Sequence, residues 1–395
     1  MNGVAAQLAA WAAGLEPSPD DERLAQAALL DTLAVAVAAE GHPVLGPAAA
    51  ELGLAGRLAT AAHVLDFDDL HLPSTAHLSA VCVPVVLAVG GGARAYLAAA
   101  GAMARLGVVL GWEHYVAGWH ATCTAGAPAA AAGAAVALGL DADGIARAMA
   151  HAVPAAGGVQ RAFGTDAKSL QVGFAADAAV RAARLAAAGA TADPVALDAW
   201  IALLGGDPAR LDVAAGGEAV PGGLAVKLFP CCYALQRPMQ AAGQLRGAVA
   251  PEGDVVVRTP ASALTPLNRH APSTGLEGKF SLEHGVAVAL LDAAPGFAAF
   301  SDAGVRRPEV RALAARVRAE PSPGGAGLLA GDVEVEVPGP DGPRRARLDA
   351  PLGSPARPAG PEDLRAKLEL CAGDRAAALA GAGWDGALAV LGEAG

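Results

Sequence analysis

Asp332-Val333-Glu334-Val335-Glu336-Val337 alternates apolar and acidic side chains with period two, as a strand with one buried face does. Pro338-Gly339-Pro340-Asp341-Gly342 then supplies a turn, and Arg344–Leu348 reads as the return strand of a hairpin. Asp254-Val255-Val256-Val257 is a further strand-like run upstream. These runs lie between Pro221, where the texture of the chain changes, and the linker-like Pro355-Ala356-Arg357-Pro358-Ala359-Gly360. On both sides of that segment the pattern is helical.

Ser18-Pro19-Asp20-Asp21 combines an N-cap, a proline at the first helical position and acids in the first turn. The helix it opens is expected to run through Ala39, where Gly41 and Pro43 stop it. Gly91–Gly111, Asp141–Val153 and Phe174–Gly189 read as further helices, and helix returns at Pro361–Ala372. The expected fold is therefore mainly α with an α+β insert. A large helical domain spans 1–221 and 361–395, completed by the C-terminal tail, and a smaller α+β lid domain spans 222–360.

The composition suits a globular chain with a large buried fraction: 395 residues, 54% hydrophobic and only 17% charged. Apolar runs around Ala80–Gly90 and Ala125–Leu140 fall short of a membrane span and read as buried helices. Met1-Asn2-Gly3-Val4 lacks the basic and apolar regions of a signal peptide. Five cysteines with no CxxC pair argue against a disulfide scaffold, and together these features lead us to expect a cytoplasmic protein. A formal net charge of −11 disfavours nucleic acid and anionic membrane as partners. It leaves open a small anionic substrate, because a buried site sets its own field.

Four clusters concentrate titratable groups. The first runs from Asp66-Phe67-Asp68-Asp69 through His71 to His77. Alone, it reads equally as a solvated acidic loop or as chemistry. A metal site is a weaker alternative, because His71 and His77 lack helical spacing and no thiolate joins them. The second is Gly118-Trp119-His120, with Thr122 or Thr124 as the expected N-cap of the next helix. His120 would then sit beside exposed N–H groups suited to a carboxylate, or simply anchor the helix entry. The third and fourth are Gly164–Leu170, containing Lys168, and Lys227–Tyr233, containing Cys231-Cys232. Each lysine is either a snorkelling surface residue or a pocket cation.

In this order, His63-Val64-Leu65-Asp66-Phe67-Asp68-Asp69, His77, Gly118-Trp119-His120, Gly164-Thr165-Asp166-Ala167-Lys168-Ser169-Leu170, Lys227-Leu228-Phe229-Pro230 and Gly278-Lys279-Phe280-Ser281 resemble the MmgE/PrpD family of 2-methylcitrate dehydratases and cis-aconitate decarboxylases. The resemblance implies cofactor-free chemistry on a small polycarboxylate, usually in a homodimer, and no metal is expected. Dehydration is the leading expectation, with decarboxylation, epimerisation or a non-catalytic acid-binding homologue as alternatives.

Carried over position by position, the resemblance implies a pocket with His77 and His120 as acid and base, Asp66 tuning one of them, and Lys168 and Lys227 stabilising carboxylates. Asp68, Asp69 and His71 are expected to be structural. Three features depart from the usual family pattern: Leu78 follows His77, Arg237 stands where a histidine is frequent, and His284 where a tyrosine is. The resemblance places Arg237 and His284 among the substrate-binding residues.

Overall fold

Ser18 accepts a hydrogen bond from the Asp21 N–H while the Asp21 carboxylate accepts one from Ser18 N–H, a reciprocal box that starts the helix Pro19–Ala38. The helix ends one residue before the expected Ala39, and Gly41 takes the left-handed conformation (φ +81°). Asp141 caps Ala142–Ala152 by accepting from the Gly144 N–H alone. The computed structural model describes residues 3–214, 217–248, 250 and 252–392. Met1 and Asn2 of the amino-terminal stretch read above lie outside them.

The architecture is mainly helical with one small four-stranded sheet. By compactness the chain divides into two units. The first comprises residues 1–161, 167–225 and 365–395, and the second residues 162–166 and 226–364. Residues 162–166, inside a stretch expected to be wholly helical-domain, cluster with the second unit.

In the first unit, helix Ala167–Ala187 packs on Leu54–Val64, Gly126–Ala137 and Ala142–Ala152. Alanine and glycine let these helices approach closely: a Cβ at Gly133 would lie 2.6 Å from the Ala95 carbonyl oxygen. Helix Ala93–Val116 is long and apolar enough to cross a membrane, yet 83% of its apolar window is buried within the protein, as in a core helix. It breaks at Gly111, whose φ is +77°.

The second unit holds the sheet, in the order β2-β1-β3-β4 with β1 Val255–Thr259, β2 Val317–Pro321, β3 Val333–Val337 and β4 Arg344–Leu348. β1 pairs parallel with β2 and antiparallel with β3, and the hairpin aligns Val335 with Ala346. Val333, Val335 and Val337 are buried. Glu334 and Glu336 face outward to share Arg258, whose Nη1 lies 3.0 and 2.9 Å from their carboxylates. β2 was not foreseen, because only its first residue is buried and no alternation marks it.

Adding a methyl group at Gly133 would raise helix propensity by about 1 kcal/mol but would push against the Ala95 carbonyl and the Ala99 backbone. We expect Gly133→Ala to lower stability by about 1–3 kcal/mol in urea unfolding. An unchanged or increased midpoint would show that these helices are not packed this closely.

Candidate active site

The stretch from Asp66 to His77 is not a solvated loop. Asp66, Asp68, Asp69 and His71 are each at most 2% exposed, and His77 is 8% exposed. The backbone earns this burial by local pairing. Leu70 exchanges two hydrogen bonds with Ala225, and the His71 N–H donates to the Ala76 carbonyl (2.9 Å). The tight path puts Asp66 and Thr75 at φ +54°, in the left-handed region. Aspartate tolerates that region better than a β-branched threonine does. Such conformations persist only where surrounding structure over-determines them.

Asp69 closes the start of helix Ser79–Ala88. Its carboxylate accepts from the Ser79 N–H (3.2 Å) and from the Ser79 hydroxyl, which also contacts the Tyr96 hydroxyl (2.8 Å). Burial pushes the Asp69 carboxyl up to about 7 despite these bonds. His71 uses both ring nitrogens structurally: Nε2–H donates to the Pro221 carbonyl (2.7 Å), and Nδ1 faces the Ser74 hydroxyl (2.8 Å). It also borders an apolar cleft of about 240 Å³ with Pro73 and Arg105. The structural roles expected of Asp69 and His71 agree with these contacts.

Asp68 is different. Its Oδ2 lies 2.7 Å from Nδ1 of His63 and 3.1 Å from Nδ1 of His77, so it contacts two histidines at once. Asp66, expected to tune a histidine, faces the Lys168 amino group at 3.4 Å, and its charge acts on His120. His63 is the residue that sequence reasoning missed. It sits in the last turn of helix Leu54–Val64, donates from Nδ1 to Asp68 and accepts at Nε2 from Lys168 Nζ (2.7 Å). Its ring meets His77 edge-on at 4.8 Å and stacks with His120 at 5.5 Å. The signal was present in the quoted motif, but a histidine on an apolar helix face reads first as core.

The tautomers of His77 and His120 follow from their partners. His77 Nδ1 lies 2.7 Å from the Asp69 carbonyl, which can only accept, so this nitrogen carries the proton and Nε2 holds the lone pair. Gln171 settles His120. Its Oε1 accepts from the Val159 N–H (3.1 Å), which orients the amide so that Nε2 donates to His120 Nδ1 at 2.7 Å. The Cys123 thiol also faces that nitrogen (3.3 Å). His120 in its neutral form thus carries its proton on Nε2, the reverse of His77. Burial, then the charges of Lys168, His63 and His77, hold His120 well below the ordinary value, so it is a neutral donor.

Expected helix capping fails at one point. His120, not a threonine, occupies the N-cap of the four-residue helix Ala121–Thr124. The threonine hydroxyls serve elsewhere: Thr122 accepts from the His77 N–H (3.0 Å), and Thr124 meets His114 Nε2 (2.8 Å).

His63, Asp68 and His77 also present ligand-type atoms within 4.8 Å of one another, a grouping open to a cation. Both histidines point an Nδ1–H at an oxygen here, so a metal bound at those nitrogens would require the other tautomer of each ring.

Asp66, His77, His120 and Lys168 therefore gather around His63 in the first unit. Lys227, Arg237 and His284 belong to the second. Lys227 is fully buried, and Gln236 brackets the segment after it by accepting from the Leu228 and Phe229 N–H groups. The Arg237 terminal nitrogens are committed to the carbonyls of Leu329, Ala330, Gly331 and Asp349 and to the Thr259 hydroxyl. His284 Nε2 meets the Ala299 carbonyl (2.9 Å). Arg237 and His284, expected among the substrate-binding residues, thus spend these nitrogens on contacts within the second unit. Cys231 and Cys232 are buried thiols, with Cys231 against Met239 sulfur (3.6 Å).

Residues 54–203 match the family model of the MmgE/PrpD N-terminal domain, and residues 229–380 that of the MmgE/PrpD C-terminal domain. No curated protein matches the chain.

Burial pulls His63, His71 and His114 each down to about 4 from 6.5, and His120 well below 6.5. Above pH 6.5 the unfolded imidazoles are neutral too and this burial costs nothing, but as pH falls towards 4 only the unfolded chain takes up their protons and stability is lost. Asp69, raised from 3.8 to about 7, works in the opposite direction over that range, one proton against four. Unfolding near pH 5 should therefore take up a net of about two protons or more. The urea midpoint should fall from pH 7 to pH 5, and a flat or rising midpoint would contradict the buried neutral cluster.

Proposed function

The chain belongs to the MmgE/PrpD family, whose members are generally lyases such as dehydratases, and on that premise we propose that it is a cofactor-independent hydro-lyase acting on a small hydroxy-polycarboxylate. The observation that carries this reading is the opposite protonation of two neighbouring imidazoles, His77 with an Nε2 lone pair and His120 with an Nε2–H. One can take a proton while the other donates a hydrogen bond to developing negative charge.

On this reading His77 Nε2 removes the proton from the carbon beside a substrate carboxylate. The resulting imidazolium is stabilised by the Asp68 carboxylate, 3.1 Å from Nδ1. His120 Nε2–H and the Lys168 amino group hold the carboxylate oxygens as charge builds on them. The electron pair of the broken C–H bond forms the alkene, and the C–O bond to the hydroxyl breaks. His77 returns its proton to that oxygen, so water leaves and the imidazole is restored. Lys227 is proposed for a second substrate carboxylate, in a cytoplasmic homodimer.

The test is to incubate purified protein, with and without EDTA, with 2-methylcitrate, citrate, cis-aconitate and iminodisuccinate. Alkene absorbance, released carbon dioxide and change of configuration are then followed. We expect alkene formation from a hydroxy acid, insensitive to EDTA, and a loss of about 10²–10⁴ in kcat in His77→Asn. Carbon dioxide or inversion without alkene would replace the hydro-lyase reading with decarboxylation or epimerisation. Thermal stabilisation by a tricarboxylate without any turnover would replace it with a binding protein.

A further inference from the structure

Phe67 stands between the two carboxylates that face the candidate site, Asp66 towards Lys168 and Asp68 towards His63 and His77. Its backbone is reached by a residue three hundred positions away. Lys367, in the helix Pro361–Ala372, donates from Nζ to the Phe67 carbonyl at 2.8 Å. The same amino group pairs with Asp31 Oδ1 at 2.5 Å and lies 4.4 Å from the centre of the Phe67 ring. Lys367 is 5% exposed and Phe67 fully buried, so water does not compete for these bonds.

We propose that Lys367 is a positioning residue: the C-terminal helix latches the Asp66–Asp69 turn from behind and so fixes Asp66 and Asp68 against Lys168, His63 and His77. Three observations carry this. Asp66 sits at φ +54°, a conformation that needs support from outside the turn. The Phe67 carbonyl is the backbone group between the two carboxylates, so a shift there moves both. Asp31 comes from the helix Pro19–Ala38, so the amino group ties the turn to two helices rather than one. A cation held by a carboxylate, a carbonyl and an aromatic face has few other places to go.

The inference rests on the proposed site for its functional meaning, and its test separates the two. Lys367→Met keeps the buried stem and removes the cation. At a temperature where circular dichroism shows the variant fully folded, the downfield imidazole N–H resonances of His63 and His77 are compared with wild type after assignment with His63→Gln and His77→Gln. We expect the wild-type resonances to broaden or exchange faster in Lys367→Met. With a turned-over substrate, kcat should fall about tenfold to a hundredfold while KM stays within about threefold, as for a small misplacement of catalytic groups.

A variant that melts earlier but keeps both the resonances and kcat would reduce Lys367 to a stabilising residue and overturn the latch. The resonances require no substrate, so a failed lyase assignment leaves that arm intact. If Lys367→Met does not fold, Asp31→Asn carries the same comparison, because it loosens the amino group while leaving Lys367 in place.

Discussion

A single neutral imidazole, bonded at both nitrogens, organises the centre of the first unit. His63 donates to Asp68 and accepts from Lys168, each over 2.7 Å, in a position with almost no access to water. Burying a carboxylate and an amino group is expensive unless each finds a strong partner. The bridge supplies one partner to each while holding the two apart by the width of a ring. It can do so only if it stays neutral. Burial ensures this by pulling His63 down to about 4, and Lys168 adds to that effect, while Asp68 opposes it. Everything else in the cluster is arranged around that fixed ring, with His77 edge-on to it and His120 stacked on it.

The two flanking imidazoles are then told apart by what the backbone offers them. His77 meets a carbonyl of its own loop, the Asp69 carbonyl, and must present a proton to it. His120 meets a side-chain amide that Val159 has already oriented, and must accept. The His120 backbone is held independently, since its N–H donates to Gly158 and the Gln160 N–H donates to Gly118. Opposite tautomers in one cluster are therefore a consequence of the partners each ring meets, a loop carbonyl for His77 and the Gln171 amide for His120. Residue types alone left acid and base undivided because the deciding partners are a carbonyl and an amide far along the chain.

The legibility of the sequence follows the same boundary between local and non-local causes. The caps at Ser18 and Asp141, the hairpin Val333–Leu348 and the tail helix are written in neighbouring residues, and they appear within a residue or two of where they were read. β2 is absent from the pattern because an edge strand with one buried side chain has no alternation to detect. The resemblance pointed to Asp66 as the acid that tunes a histidine, and its charge does act on His120, but the direct contacts of Asp68 with His63 and His77 were not legible in the sequence. Arg237 and His284 show the reverse limit. A buried polar residue near a motif looks functional until its hydrogen bonds are seen to end on carbonyls.

On the proposed reading, the cluster answers only part of the chemical question. Dehydration, decarboxylation and epimerisation all build negative charge on a carbon beside a carboxylate, and all need a nearby base and a donor to the carboxylate oxygens. His77, His120 and Lys168 offer those elements without regard to which bond breaks next. The outcome depends on which bond to that carbon is held in line with the forming π-system, and orientation of that kind is set by whatever grips the far end of the substrate. A buried lysine is the type of group that grips a carboxylate, and Lys227 is proposed for that part. On this reading the reaction class is a property of substrate placement, while the proton chemistry belongs to the cluster of His77, His120 and Lys168.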